Sequence, residues 1–322
     1  MSGMLRLLLL ALLALLVFPA AAHELSMAEM QLREAAPGKF LMQWGSSEKG
    51  QPGDEMKPVW PLGCQAEGNL VSCGDAGLTG TLKIEGVGKN FSAVMVKIFW
   101  LDGNSHVYAI TPGQPSARLR GSAEDGGPGG AMAYLHLGIE HILQGVDHLL
   151  FVLGLLLIVR DRWMLLKTVT AFTLAHSITL AAATLGVAHV PALPLNAAIA
   201  LSILFLGPEI VRSWRGESSF TIRHPWVVAF AFGLLHGFGF ASGLAQLGLP
   251  KGEIPLALLM FNVGVEIGQL AFVLAILLTI RSLRLLEFKT STLVERFPGY
   301  LVGTLGAFWT IQRVAILLRG VA

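Results

Sequence analysis

Residues 138–160 read GIEHILQGVDHLLFVLGLLLIVR. The run is apolar and long enough to cross a bilayer whose hydrocarbon core is about 30 Å thick. Yet it carries His141, Asp147 and His148. By insertion scales, an ionisable side chain near the middle of a spanning helix costs about 2.5–3.5 kcal/mol. A chain that keeps three of them in one segment must turn them towards each other, towards partners on other helices, or towards water. That requirement points to a bundle rather than to a single anchor.

The rest of the chain supplies the bundle. Only 14% of residues are charged and 53% are apolar, whereas soluble domains carry about 25% charge. The chain therefore reads as an integral membrane protein in contact with lipid. The formal net charge of +2 specifies no partner, and nothing resembles a nucleic-acid-binding motif. Six apolar segments stand out, at about 131–159, 164–187, 193–213, 225–247, 254–280 and 298–318. The expected fold for 131–319 is an all-α polytopic bundle of about six transmembrane helices. The first segment is over-long and contains Gly138 and Gly145, so its outer end is expected to be a separate interfacial or re-entrant piece.

Upstream the pattern differs. Residues 1–22 have an Arg, a leucine-rich core and a closing Ala20-Ala21-Ala22, the layout of a secretory signal peptide. Residues 23–120 hold short runs such as GTLKIEG and SAVMVKIFWL, punctuated by Gly, Asn and Asp. They predict a small exported β-sandwich of about seven strands. Cys64 and Cys73 lie within it, and in an oxidising compartment they predict one disulfide. Residues 121–130, GSAEDGGPGG, read as a flexible linker. With the sandwich outside, Arg160, Arg162, Lys167, Arg212, Arg215, Arg223, Arg281, Arg284, Lys289 and Arg296 fall on the inner side. In the membrane part, the outer loops hold Lys251, with Arg319 in the tail. This is the positive-inside pattern, and it places the C-terminus outside as well.

Ionisable groups recur at one depth. Asp147, His148, His176, His236 and Glu266 all lie roughly 13–22 Å from the basic flanks at 1.5 Å per residue. His141 and His148, seven apart, share a helical face with Gln144 near the same stripe. Asn262, Glu266 and Gln269 form another stripe, and Thr170, Thr173 and Ser177 lie beside His176. Asp147 sits about 100° round from His148. Either Gly145 loosens the helix there, or Asp147 orients the imidazole. Gly233/Gly237, Gly239/Gly243 and Gly264/Gly268 have the spacing that lets helix backbones approach. Glu209 reads as a flank charge near Arg212, and Arg313 as a snorkelling side chain. Imidazoles and carboxylates in one dry layer suit Ni, Co, Zn or Fe; a buried hydrogen-bonded network is the plainer alternative.

Four blocks, HILQGVDHLLF, FTLAHSITL, FGLLHGFGFA and FNVGVEIGQL, resemble in sequence and order those of the HupE/UreJ family of hydrogenase- and urease-associated membrane proteins. The resemblance spans about residues 131–318. It implies uptake of a divalent metal through the bacterial inner membrane, nickel first and cobalt second. The implied ligands are His141, Asp147, His148, His176, His236 and Glu266. Glu140, Gln144, Ser177, Asn262 and Gln269 would support them or line the path. Two departures stand out. The fourth block reads HGFGFASG, where shorter members carry a second His and a nearby Glu. The exported domain marks a longer branch, open to a periplasmic partner through residues 23–120.

Two other readings compete with a permease. An intramembrane hydrolase would use the histidines to hold zinc and Glu266 or Asp147 as general base, although the chain lacks His-Glu-x-x-His. Alternatively the sandwich does the work, with His23, Met27 and Met30 capturing copper or nickel at the mature N-terminus. His106, His189 and His224 read as solvated.

Overall fold

The computed structural model describes residues 27–45, 52–74, 77–91, 93–122, 128–246, 254–285 and 292–320. The proposed signal peptide, His23 and residues 123–127 of the proposed linker lie outside them.

Residues 27–120 form a β-sandwich, with nine strands among the described residues rather than about seven. They are β1 (Met27–Ala36), β2 (Lys39–Trp44), β3 (Lys57–Val59), β4 (Cys64–Glu67), β5 (Leu70–Cys73), β6 (Thr79–Glu85), β7 (Ala93–Phe99), β8 (Ser105–Ile110) and β9 (Ser116–Arg120), with a short helix α1 (Pro52–Glu55). β3, β4 and β5 have three or four residues each, too few for alternation to stand out in a sequence. A six-stranded sheet in the order β4-β5-β2-β1-β7-β8 faces a three-stranded sheet β3-β6-β9. Cys64 and Cys73 are register partners on β4 and β5 and form the disulfide.

Strand β7 shows how the domain sits on the rest of the chain. Alternate residues of a strand point to opposite faces. Val94, Val96 and Ile98 fill the sandwich core with Met30, Leu32, Leu82, Ile84 and Leu119. Ala93 and Met95 point the other way, yet are equally buried. With Met27 of β1 and Val107 and Ala109 of β8, they join an apolar cluster containing Tyr134, Leu137, Ile142, Leu180, Phe240, Phe261 and Val265 from the helical region. A strand buried on both faces reads as a near-continuous apolar run, which accounts for SAVMVKIFWL. The sandwich is therefore packed directly on the helices.

The helices are α2 (Pro128–Gln144), α3 (Val146–Ile158), α4 (Arg162–Thr184), α5 (Ala192–Trp214), a short α6 (Phe220–Arg223), α7 (Pro225–Gln246), α8 (Ile254–Leu285) and α9 (Thr292–Gly320). Among the described residues, four stretches are long and apolar enough to cross a membrane: Arg162–Thr184, Ala192–Trp214, Ile254–Ser282 and Glu295–Arg319. The pair α2 and α3 makes a fifth if taken as one span, bent by 72°. Among the described residues there are thus four to five candidate spans, and the expected fourth segment is the 22-residue helix α7.

The break falls at Gly145. A Cβ there would lie 2.8 Å from the His141 carbonyl oxygen and 2.9 Å from His148 Nδ1, so no larger residue fits between the two histidines. Glycine pairs also set the helix contacts. A Cβ at Gly237 of α7 would strike the His176 carbonyl and Thr179 Oγ1 of α4, and one at Gly264 of α8 would strike the Leu135 carbonyl of α2. Gly207 of α5 faces Gly303 of α9. Backbones this close bring polar groups on neighbouring helices within reach of each other.

Candidate metal centre

Four histidines from four helices meet in the bundle: His141 on α2, His148 on α3, His176 on α4 and His236 on α7. All are buried, between 0% and 6% exposed. Ring centroids lie 4.8 Å apart for His141 and His148, 5.8 Å for His141 and His176, 5.9 Å for His148 and His176, and 4.8 Å for His148 and His236. For His141, His148 and His176, one ligand atom from each lies within 4.8 Å of the others. An ion held about 2.0–2.1 Å from each nitrogen sets tetrahedral ligands roughly 3.4 Å apart. Side-chain shifts totalling at most about 1.4 Å per pair would close the set.

Neighbouring groups fix which nitrogen of each ring is free. His148 Nδ1 lies 3.2 Å from Asp147 Oδ1. A carboxylate only accepts, so Nδ1 carries the proton and Nε2 keeps its lone pair. His176 Nδ1 lies 3.3 Å from Asn262 Oδ1. The Asn262 amide nitrogen donates to the Leu258 carbonyl at 2.7 Å, which turns the oxygen towards His176 and again leaves Nε2 free. Ser202 on α5 gives its single hydroxyl proton to the Ile199 carbonyl at 2.6 Å. It therefore accepts from His236 Nε2, 3.0 Å away, and leaves Nδ1 free. These three free nitrogens, and both nitrogens of His141, are buried without a hydrogen-bond partner among the described residues. Holding a ligating imidazole by its other nitrogen is a common device of metal sites. An unpartnered buried polar atom otherwise costs about 1–3 kcal/mol, so the donor set fits a cation.

The other expected ligands sit further out. Asp147 does not share the three-histidine set; it orients His148 and lies 3.8 Å from Arg313 on α9. Arg313 also donates to the Asn196 carbonyl at 3.0 Å, a role that its position in the sequence did not suggest. Glu266 Oε1 accepts from Thr170 at 2.6 Å, while its Oε2 is buried and unpartnered among the described residues. Thr173 donates to Gln269 Oε1 at 3.0 Å. The pairs His176/Asn262, Thr173/Gln269 and Thr170/Glu266 thus form a polar seam between α4 and α8, descending from the histidines towards the Arg162 end. Ser177 Oγ is spent on the Thr173 carbonyl at 2.7 Å, and Gln144 is exposed. Glu140 lies at the sandwich end, where it accepts from Thr111. Glu209 is buried and takes hydrogen bonds from Arg212 and Ser219. Ser202 and His136, which the sequence reading passed over, had only their placement near apolar segments as a signal.

Phe240 and Phe261 stack 4.7 Å apart and touch His141, at 4.4 and 5.4 Å. They belong to the apolar cluster that the sandwich completes. The imidazoles are therefore closed off on the side of the β-domain.

Fold and site together define a multi-pass membrane protein with a buried histidine centre suited to a metal ion. Residues 120–313 match the model of a family described as HupE / UreJ protein. The chain belongs to the HupE/UreJ family. No curated protein and no solved structure matches it.

Proposed function

We propose that this protein is a permease for a divalent transition-metal cation, nickel first and cobalt second. The observation that carries the reading is the set of imidazole nitrogens left free at one point inside a helical bundle, with the opposite nitrogens of His148, His176 and His236 held by Asp147, Asn262 and Ser202. Membership of a family associated with nickel and cobalt transport supports it. In this reading His141, His148 and His176 bind the cation, His236 and Asp147 complete the centre, and the Thr173/Gln269 and Thr170/Glu266 steps carry it onward. The β-domain faces the periplasm after removal of residues 1–22, and the bundle lies in a bacterial inner membrane with its basic loops inside. A membrane potential of 100 mV then favours entry by about 2.3 kcal/mol per charge.

A zinc hydrolase built on the same histidines needs a carboxylate free to take a proton from bound water. Asp147 is engaged with His148 and Arg313, and Glu266, although its Oε2 is free, stands outside the three-histidine group, which favours transport. The test is 63Ni and 57Co uptake into proteoliposomes holding the purified full chain. Saturable uptake that disappears in His148→Ala, with the variant still inserted, is expected. Tightly bound zinc with no uptake by the wild type would overturn the permease and favour the hydrolase.

A further inference from the structure

We propose that His136 and Glu140 form an outer cation site, and that a divalent cation bound there takes Glu140 away from the β-domain and so opens the mouth of the histidine centre. The inference rests on the permease reading and adds an entry step to it.

His136 and Glu140 are one turn apart on α2, and residues four apart share a helix face. His136 Nε2 lies 3.7 Å from Glu140 Oε1. That is too long for a hydrogen bond, but close to the roughly 3.4 Å that separates two ligands of one tetrahedral ion. The side chain of His136 is 43% exposed and that of Glu140 14%, so the pair sits at the boundary between water and the protein interior. Imidazole with carboxylate suits the same borderline dications as the inner centre. Glu140 precedes His141, whose ring points inward to the other histidines. A cation at the outer pair is one residue along the helix from the first inner ligand.

Glu140 is also the tie to the β-domain. Its Oε1 accepts from Thr111 Oγ1 at 2.9 Å and from the Gly113 amide at 3.2 Å. Both donors lie in the turn between β8 and β9, closed by the Gln114 amide bonding the Thr111 carbonyl at 3.1 Å. Gly113 has no side chain because there is no room for one; a Cβ would run into Glu140 Oε1 and lie 3.6 Å from His136 Nε2. The turn therefore covers both members of the pair. Oε1 is the carboxylate oxygen nearest His136 and the one that accepts both bonds, so a cation shared between Oε1 and His136 Nε2 competes with them. Arrival of the cation and release of the turn are one exchange at one atom. Release matters because the same domain closes the apolar cluster over Phe240, Phe261 and His141.

The experiment uses the full chain in nanodiscs, titrated with NiCl2 and separately with ZnCl2. Hydrogen exchange over residues 105–120 is followed alongside. Two classes of bound metal are expected in the wild type. His136→Ala should remove the weaker class and keep the tighter, and His148→Ala should do the reverse. Saturating metal should speed exchange in the β8–β9 turn at least tenfold, in the wild type and in His148→Ala. Thr111→Val, which leaves both proposed ligands in place, should speed it without metal and retain the weaker class. A weaker class that survives His136→Ala, or exchange indifferent to metal, overturns the proposal. The two readings fail separately: wild-type uptake that depends on His148 with only one metal class sinks the outer site alone. A metal-driven response of the turn without uptake sinks the permease alone.

Discussion

Replacing Asp147 by Asn tests the centre most sharply, because one side chain holds both a tautomer and a counter-charge. Oδ1 faces His148 Nδ1 at 3.2 Å, and Oδ2 faces Arg313 at 3.8 Å. The charge lost is substantial. At 3.8 Å and an effective dielectric of about 20, the gross attraction to Arg313 is about 4 kcal/mol, before the opposing cost of desolvating both groups. The amide that replaces the carboxylate must also choose. With its oxygen towards His148 it keeps the tautomer but turns its NH2 to the guanidinium. With its NH2 towards His148 it donates to Nδ1, moves the ring proton to Nε2 and blocks the lone pair that a cation needs. Loss of a group that orients a ligand costs typically 10–100-fold in metal affinity, or about 1.4–2.7 kcal/mol. We expect Asp147→Asn to raise the Kd for Ni2+ by that factor in calorimetric titrations, and to lower the thermal midpoint. Adding Arg313→Gln should recover much of the midpoint but none of the affinity. Wild-type affinity in Asp147→Asn, or affinity restored by Arg313→Gln, would refute the reasoning.

Ser202→Ala removes the acceptor that holds the proton of His236 on Nε2; metal affinity should fall about tenfold, with stability changed by no more than about 1–2 kcal/mol, read by titration and thermal unfolding. Gly237→Ala should force α4 from α7 and displace His176 and His236 together, weakening metal binding at least tenfold. Gly239→Ala, which meets only the tip of Ile199 at 3.2 Å, should leave binding within about twofold of wild type. Replacing Cys64 and Cys73 by Ser should destabilise the sandwich by about 2–3 kcal/mol, given the short loop that the bridge closes. Metal binding by a His136→Ala background, which isolates the inner centre, should be unaffected by that change.

Much of the fold was legible because its causes are local. The change from alternating strands to long apolar runs near residue 130 follows from the side-chain periods of strands and helices, and the disulfide joins two cysteines only nine residues apart in the β-domain. The count of spans was less legible. The excess length of the first segment and its Gly145 pointed to a separate outer piece, but length and hydropathy do not give the 72° bend. The depth of each histidine is a linear property of a helix, so the layer of His148, His176 and His236 was visible before any contact was known, and His141 was tied to it only by sharing a helical face with His148. Asp147 and Glu266 had the same depth, but depth does not fix azimuth or rotamer; one was placed behind His148 and the other beside Thr170.

What the sequence by itself determined is therefore what depends on spacing along one chain: the two-part architecture, the apolar segments, and a stratum of ionisable groups that lipid would not tolerate unpaired. What only the tertiary structure decided is what depends on angles between helices. Ser202 became the partner of His236, and Arg313 the counter-charge of Asp147, because glycine contacts fix how the helices meet. The β-domain became a cover because β7 is buried on both faces. Hydrogen bonds and metal ligation act over about 3 Å, and no one-dimensional pattern carries distances that short between segments a hundred residues apart.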